Sequence, residues 1–170
     1  MDQTLVERRS HILSRWLDVV LRRYPEQTRV ALARPADAFA NPMASIIVEG
    51  LGAVLDCVSG APSATVEAPL DRLMRLWALE GPDVSDALSF LKALKGLLRA
   101  ELSGGSGALM DLAATEARID ELAARAAECF AVARRALVEI RTREQDYGRA
   151  TLRERLQRER QDRRKQSWQR

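Results

Sequence analysis

The chain's supply of soft metal ligands is one histidine, His11, and two cysteines, Cys57 and Cys129. Four ligands at close spacing cannot be assembled from them, which excludes a Cys/His zinc site. His11 has Glu7, Arg8, Ser14 and Arg15 three and four residues away. That spacing puts it on a polar helix face, away from haem ligation or a catalytic role. Carboxylate pairs exist, Asp120 with Glu121 and Asp83 with Asp86. Adjacent acids on a helix point in different directions, and the second pair sits at a helix start, where negative charge complements the helix dipole. No Ser/His/Asp order or Walker pattern occurs, and Gly104-Gly105-Ser106-Gly107 lacks the following lysine of a phosphate loop. The expectation is a protein that is not an enzyme and takes no metal or cofactor. Cys57, between Leu55 and Val58, and Cys129, beside Phe130, read as reduced core thiols, with a redox pair as the alternative.

Aromatic and basic residues are the other candidates. Trp16, Tyr24, Trp77, Phe90 and Phe130 fall at or beside helical core positions, so packing is the first reading and an inter-helix ligand pocket the second. Trp168 stands among Lys165, Gln166 and Gln169, where it either frays in solvent or anchors to a partner. The charge is unevenly placed. The whole chain of 170 residues carries 27 basic and 24 acidic residues, a net of +3, of which residues 141–170 alone contribute +6. Arg153, Arg155 and their neighbours could meet phosphates, but Glu144, Asp146, Glu154, Glu159 and Asp162 interrupt the basic footprint. A solvated helix or a coiled-coil partner surface is therefore preferred over nucleic acid.

The elements that position these residues read as helices throughout. Leu5, Val6, Ile12, Leu13, Trp16, Leu17, Val20 and Leu21 recur at helical spacing and predict a first helix over residues 5–24, with Pro25 either ending it or opening the next. A short second helix is expected over 26–33. Asn41-Pro42 supplies a cap and a first-turn proline for a third over 42–58, stopped at Gly60-Ala61-Pro62-Ser63. Pro69 is expected in the first turn of a fourth, which ends before Gly81-Pro82, and Ser85 or Asp83 caps a fifth that reaches Leu102. After a hinge at residues 103–107, a last helix carries Leu112, Thr115, Ile119, Leu122, Ala126, Cys129, Phe130, Ala133, Leu137 and Ile140 on one stripe. Beyond Ile140 the stripe thins to Tyr147, Leu152 and Leu156 while oppositely charged residues continue four apart. The domain expectation is a bundle over 1–140 and a charged, basic helical extension over 141–170. No stretch alternates with period two, so strands are not expected.

Met1-Asp2-Gln3-Thr4 does not open a signal peptide, and the 11 uncharged residues from Ala38 to Val48 fall well short of a membrane span. A cytoplasmic protein without membrane insertion is expected.

Several short motifs occur in a telling order: Ile12-Leu13-Ser14-Arg15-Trp16, Tyr24-Pro25, Phe39-Ala40-Asn41-Pro42, Glu49-Gly50-Leu51 and Leu73-Met74-Arg75-Leu76-Trp77-Ala78. Residues 85–102 with Phe90-Leu91 and Leu94-Lys95, and Ala117-Arg118-Ile119-Asp120-Glu121-Leu122, complete the series. Over about residues 5–145 the chain resembles the N-terminal domain of RsbRD-type co-antagonists of the RsbT kinase, from the bacterial general stress response. The resemblance implies an all-α, globin-like multi-helix bundle without haem, with a long C-terminal helix projecting from the core. It implies a sensory or protein-interaction module, commonly a homodimer, whose partners include STAS-domain or kinase components. Relatives join this module to a STAS domain by a long helix; here the chain ends at Arg170, as in a stand-alone member. Stand-alone members are also similar to small proteins found near sulfur-metabolism membrane complexes, which makes an accessory role there an alternative. The positions carried over are Trp16, Tyr24, Pro25, Asn41, Pro42, Lys95, Arg118 and Asp120. Each reads as structural, with Arg118 and Asp120 tying the last helix to a neighbour; lining an effector pocket is the other reading.

Overall fold

The computed structural model describes the backbone of residues 8–33, 41–81, 83–102 and 108–168, and the side chains within these except 102, 108–111 and 160–168. Six helices appear among them: α1 (Arg9–Leu21), α2 (Glu26–Ala33), α3 (Pro42–Val58), α4 (Ala64–Glu80), α5 (Val84–Leu102) and α6 (Ala108–Trp168). No strand occurs among the described residues, and the fold is an all-α bundle. The chain divides into two compact units, residues 1–133 and 134–170.

The first unit holds the core. Ile12, Trp16, Val20 and Leu21 of α1 repeat every three to four residues and are all buried, as periodicity requires of a helix packed on one side. The helix stops at Leu21, short of the expected Tyr24. Arg22, Arg23 and Tyr24 then donate backbone bonds to Val19, Val20 and Leu21, an i−3 pattern that tightens the turn. Pro25 is the cause, since a residue before proline avoids the helical region. α2 and α3 occupy the expected spans. Asn41 caps α3, its Oδ1 accepting from the Ala44 amide at 3.1 Å, while its Nδ2 donates to the Ala31 carbonyl at 3.0 Å and so ties α2 to the α3 entry.

α3 and α4 form the most extensive helix pair. Gly50 makes this possible, because a Cβ at that position would lie 2.9 Å from Leu73 Cδ2 and 3.0 Å from its Cβ. α4 corrects the sequence reading. It begins at Ala64, so Pro69 lies inside it, beyond the first turn. Proline cannot donate to the Thr65 carbonyl there. Helix persists because Val66, Leu70, Leu73, Met74, Trp77 and Ala78 are buried on one face, and that burial outweighs one missing bond. Gly81, with φ +92°, ends α4 in the left-handed conformation. Asp83 caps α5 by accepting from the Asp86 amide at 2.8 Å.

Along α6, Thr115, Ile119, Leu122, Ala126 and Phe130 are buried. Arg99 of α5 makes a two-point ion pair with Glu116, and Lys95 donates a single bond to Asp120 Oδ1. In the second unit α6 remains helical, yet Ile140 is 51% exposed, so the expected stripe stops short of it. Within this stretch Thr142 and Thr151 bond back to the carbonyls of Val138 and Tyr147, and Arg143 and Arg158 approach Glu139 and Glu154 at 4.0 Å, all within the helix. The expectations at Leu5, Phe39, Ala40 and the 103–107 hinge fall outside the described residues. Among the described residues, no helix is long and apolar enough to cross a membrane.

Candidate functional site

Three helices bring three of the predicted aromatics into one ladder. Trp16 of α1 and Trp77 of α4 are completely buried, and Phe90 of α5 lies between them. The Phe90 ring stacks on Trp16, with centroids 5.8 Å apart and planes at 13°, and meets Trp77 edge-on at 4.9 Å and 68°. Trp16 Nε1 donates to the Phe90 carbonyl at 2.8 Å. Trp77 Nε1 donates to the Tyr24 hydroxyl at 3.0 Å, and that hydroxyl donates to the Glu80 carboxylate, 3.0 and 3.1 Å from its two oxygens. The direction of the relay is fixed, because an indole N–H can only donate and a carboxylate can only accept.

The ladder surfaces in an open cleft of about 770 Å³ lined by Arg23, Tyr24, Met43, Glu80, Gly81, Asp86 and Ser89. Arg23 covers the outside of the ladder, its guanidinium carbon 4.6 Å from the Trp77 ring centroid. Burial, then the nearby Glu80 charge, pushes the Tyr24 phenol up to about 12, against the Trp77 hydrogen bond, which lowers it. Burial also raises Glu80, opposed by the Tyr24 hydrogen bond and Arg23. At neutral pH the phenol is thus a fixed donor, unsuited to act as a base or nucleophile. The arrangement links a carboxylate at the cleft to a buried indole through one hydroxyl.

Sequence reasoning missed Glu80 and Arg23. The available signal was spacing: Glu80 follows Trp77 by three residues on one helix, so the two share a face.

The other predicted residues lie apart from this cleft. Phe130 is buried on α6 with no ring contact to either tryptophan among the described residues. Arg118 donates from Nη1 to the Val58 carbonyl at 3.0 Å, and Asp120 accepts from Lys95 Nζ at 2.6 Å, so both tie α6 to neighbouring helices. Arg153 and Arg155 are exposed in the second unit, and the Trp168 side chain lies outside the described residues. His11 is 64% exposed, with Nε2 3.8 Å from Glu101. Arg15 and Arg8 approach that same carboxylate at 2.6 and 3.5 Å. Arg9 forms a two-point ion pair with Asp56, whose hydrogen bond holds the guanidinium pKa above its ordinary value. Among the described residues, no group of three His, Cys, Asp or Glu side chains is placed to hold a metal ion.

Comparison with curated proteins and with solved structures returns no match. Residues 10–145, most of the chain and all of the ladder, match the RsbT co-antagonist protein rsbRD N-terminal domain, and the chain belongs to that family, whose domains serve a sensory role in signalling.

Proposed function

We propose that this chain is a non-catalytic cytoplasmic signalling module that works by binding proteins, with the α6 segment after Ala133 as its docking element. One observation carries the reading. From Val138 to Glu159 every residue is exposed although the segment is helical, and Val138, Ile140, Tyr147, Leu152 and Leu156 are 45–76% exposed. A helix with no buried side chain is held by propensity and by four-apart charge pairs worth roughly 0.2–0.5 kcal/mol each, which is marginal in water. A partner supplies the missing burial. Acidic residues are interspersed among the basic ones along the segment, so opposite charges can meet across two copies although the net charge is positive, and a homodimer paired along the exposed Tyr147, Leu152 and Leu156 of α6 is the arrangement we favour. STAS-domain or kinase components are the next binding partners to seek.

The test is the mass of the full chain in solution beside that of a Tyr147→Glu, Leu152→Glu double variant. A dimer that the variant converts to a folded monomer supports the reading; a monomeric full chain, or a dimer indifferent to both substitutions, refutes the pairing.

A second reading, a small-ligand sensor, is favoured by the open cleft at Tyr24 and Glu80. The packed tryptophans form a floor beneath such a ligand instead of enclosing it. Protein from native cells would carry a ligand detectable by mass spectrometry, and its release would change Trp77 fluorescence in the full chain but not in Tyr24→Phe. Native protein free of any bound molecule argues against this second reading.

A further inference from the structure

A second cleft, of about 280 Å³, opens between the α3–α4 junction and α6, lined by Cys57, Gly60, Ser63, Arg118, Glu121 and Arg125. Two guanidiniums and one carboxylate make its charged lining, a net single positive charge. Arg118 and Arg125 are seven residues apart on α6 and so share a face. Among the described residues, neither arginine is tied up in a close ion pair. Arg118 spends Nη1 on the Val58 carbonyl and keeps its other N–H donors, while Arg125 stands 3.9 Å from Glu67, beyond hydrogen-bond distance. Ser63 also lines the cleft, and although it occupies the cap position of α4 its side chain makes no capping bond. The half-buried Cys57 thiol completes the lining.

We propose that this cleft binds the phosphate group of a small metabolite between Arg118 and Arg125, beside the Cys57 thiol. A guanidinium fork matches the oxygens of a phosphate in pairs, and the Ser63 hydroxyl adds a neutral donor. The volume lies just below the range of drug-sized pockets, which suits a compact anionic group and not a large cofactor. The occupied site has a built-in reporter. Burial raises the Cys57 thiol while Arg125 and Arg118 oppose that rise. An anion between the arginines neutralises them and covers the sulfur, and both effects slow alkylation. Cys129 lies in an adjoining cleft that Arg125 also borders. Burial raises its thiol too, but the charges acting on it are Asp71 and Glu128, which raise it, and Arg75, which lowers it, whereas Arg125 and Arg118 act on Cys57, so Cys129 serves as the internal comparison.

The experiment alkylates the full chain with iodoacetamide at fixed pH and ionic strength, with inorganic phosphate replacing chloride, and follows both cysteines by peptide mass spectrometry. Phosphate is expected to slow Cys57 and leave Cys129 unchanged, with acetate in a parallel arm separating a phosphate site from a general carboxylate site. Arg125→Gln, which gives up no close bond in this fold, should weaken the protection about tenfold, the loss of one charge-assisted hydrogen bond. Arg118→Gln should do the same, but it also frees the Val58 carbonyl, so Arg125→Gln is decisive. Equal slowing of both cysteines, acetate matching phosphate, protection that survives Arg125→Gln, or no protection at millimolar phosphate overturns the proposal.

Discussion

Tyr24 accepts from a buried indole and donates to a raised carboxylate, so its hydroxyl is worth more than its area. Tyr24→Phe leaves the Trp77 N–H without its acceptor and should cost about 1–3 kcal/mol in urea denaturation. The same residue sets an alkaline limit. Its folded pKa, about 12, lies above the ordinary 10.0, so its contribution is fully present below pH 10 and fades as pH rises toward 12. Denaturation midpoints across that window should fall more steeply for the native chain than for Tyr24→Phe. Gly50 matters for space. Gly50→Ala presses a methyl against Leu73, itself completely buried, and should lower stability by about 1–3 kcal/mol in thermal unfolding. A Cβ that fitted without loss would mean that α3 and α4 can part at little cost.

Helix boundaries were legible wherever a local device enforces them. Asn41-Pro42 placed the start of α3 because a side-chain oxygen and a missing N–H act within one turn. Asn41→Ala removes both the Ala44 cap and the bond to Ala31, and should cost about 1–2 kcal/mol by thermal unfolding. Pro69 misled for the converse reason. Its local preference is a first turn, but the buried face of α4 already begins at Val66, three residues earlier, and burial along a whole face outweighs one lost hydrogen bond. Restoring the N–H with Pro69→Ala should therefore stabilise the chain by about 1 kcal/mol or more in the same assay. The end of α1 shows the same contest resolved locally, since Pro25 acts on its neighbour without any help from packing.

For the molecule as a whole, a dimer paired along α6 makes unfolding depend on concentration, because association stabilises the folded state by mass action. The melting temperature of the full chain should rise with protein concentration, and Leu152→Glu with Leu156→Glu should remove that dependence while the core from Ile12 to Phe130 still melts cooperatively. A melting temperature independent of concentration in the native chain would count against pairing.

The sequence by itself determined the all-α class, the family, most helix spans and much of the core, because periodicity, caps and breakers act over a few residues; it overreached at Cys57 and Cys129, expected as core thiols but part-exposed at cleft walls, and at Ile140, which is exposed. It also gave the residue types of the ladder, Trp16, Tyr24, Trp77 and Phe90. What only the tertiary structure decided was their meeting across α1, α4, α5 and the turn before Pro25, and the cleft they share with Arg23 and Glu80. The approach of Cys57 to two arginines more than 60 residues away was equally hidden. Such sites arise where helices distant in sequence cross, and crossing geometry is set by packing at residues like Gly50 and Leu73, which no spacing along the chain records.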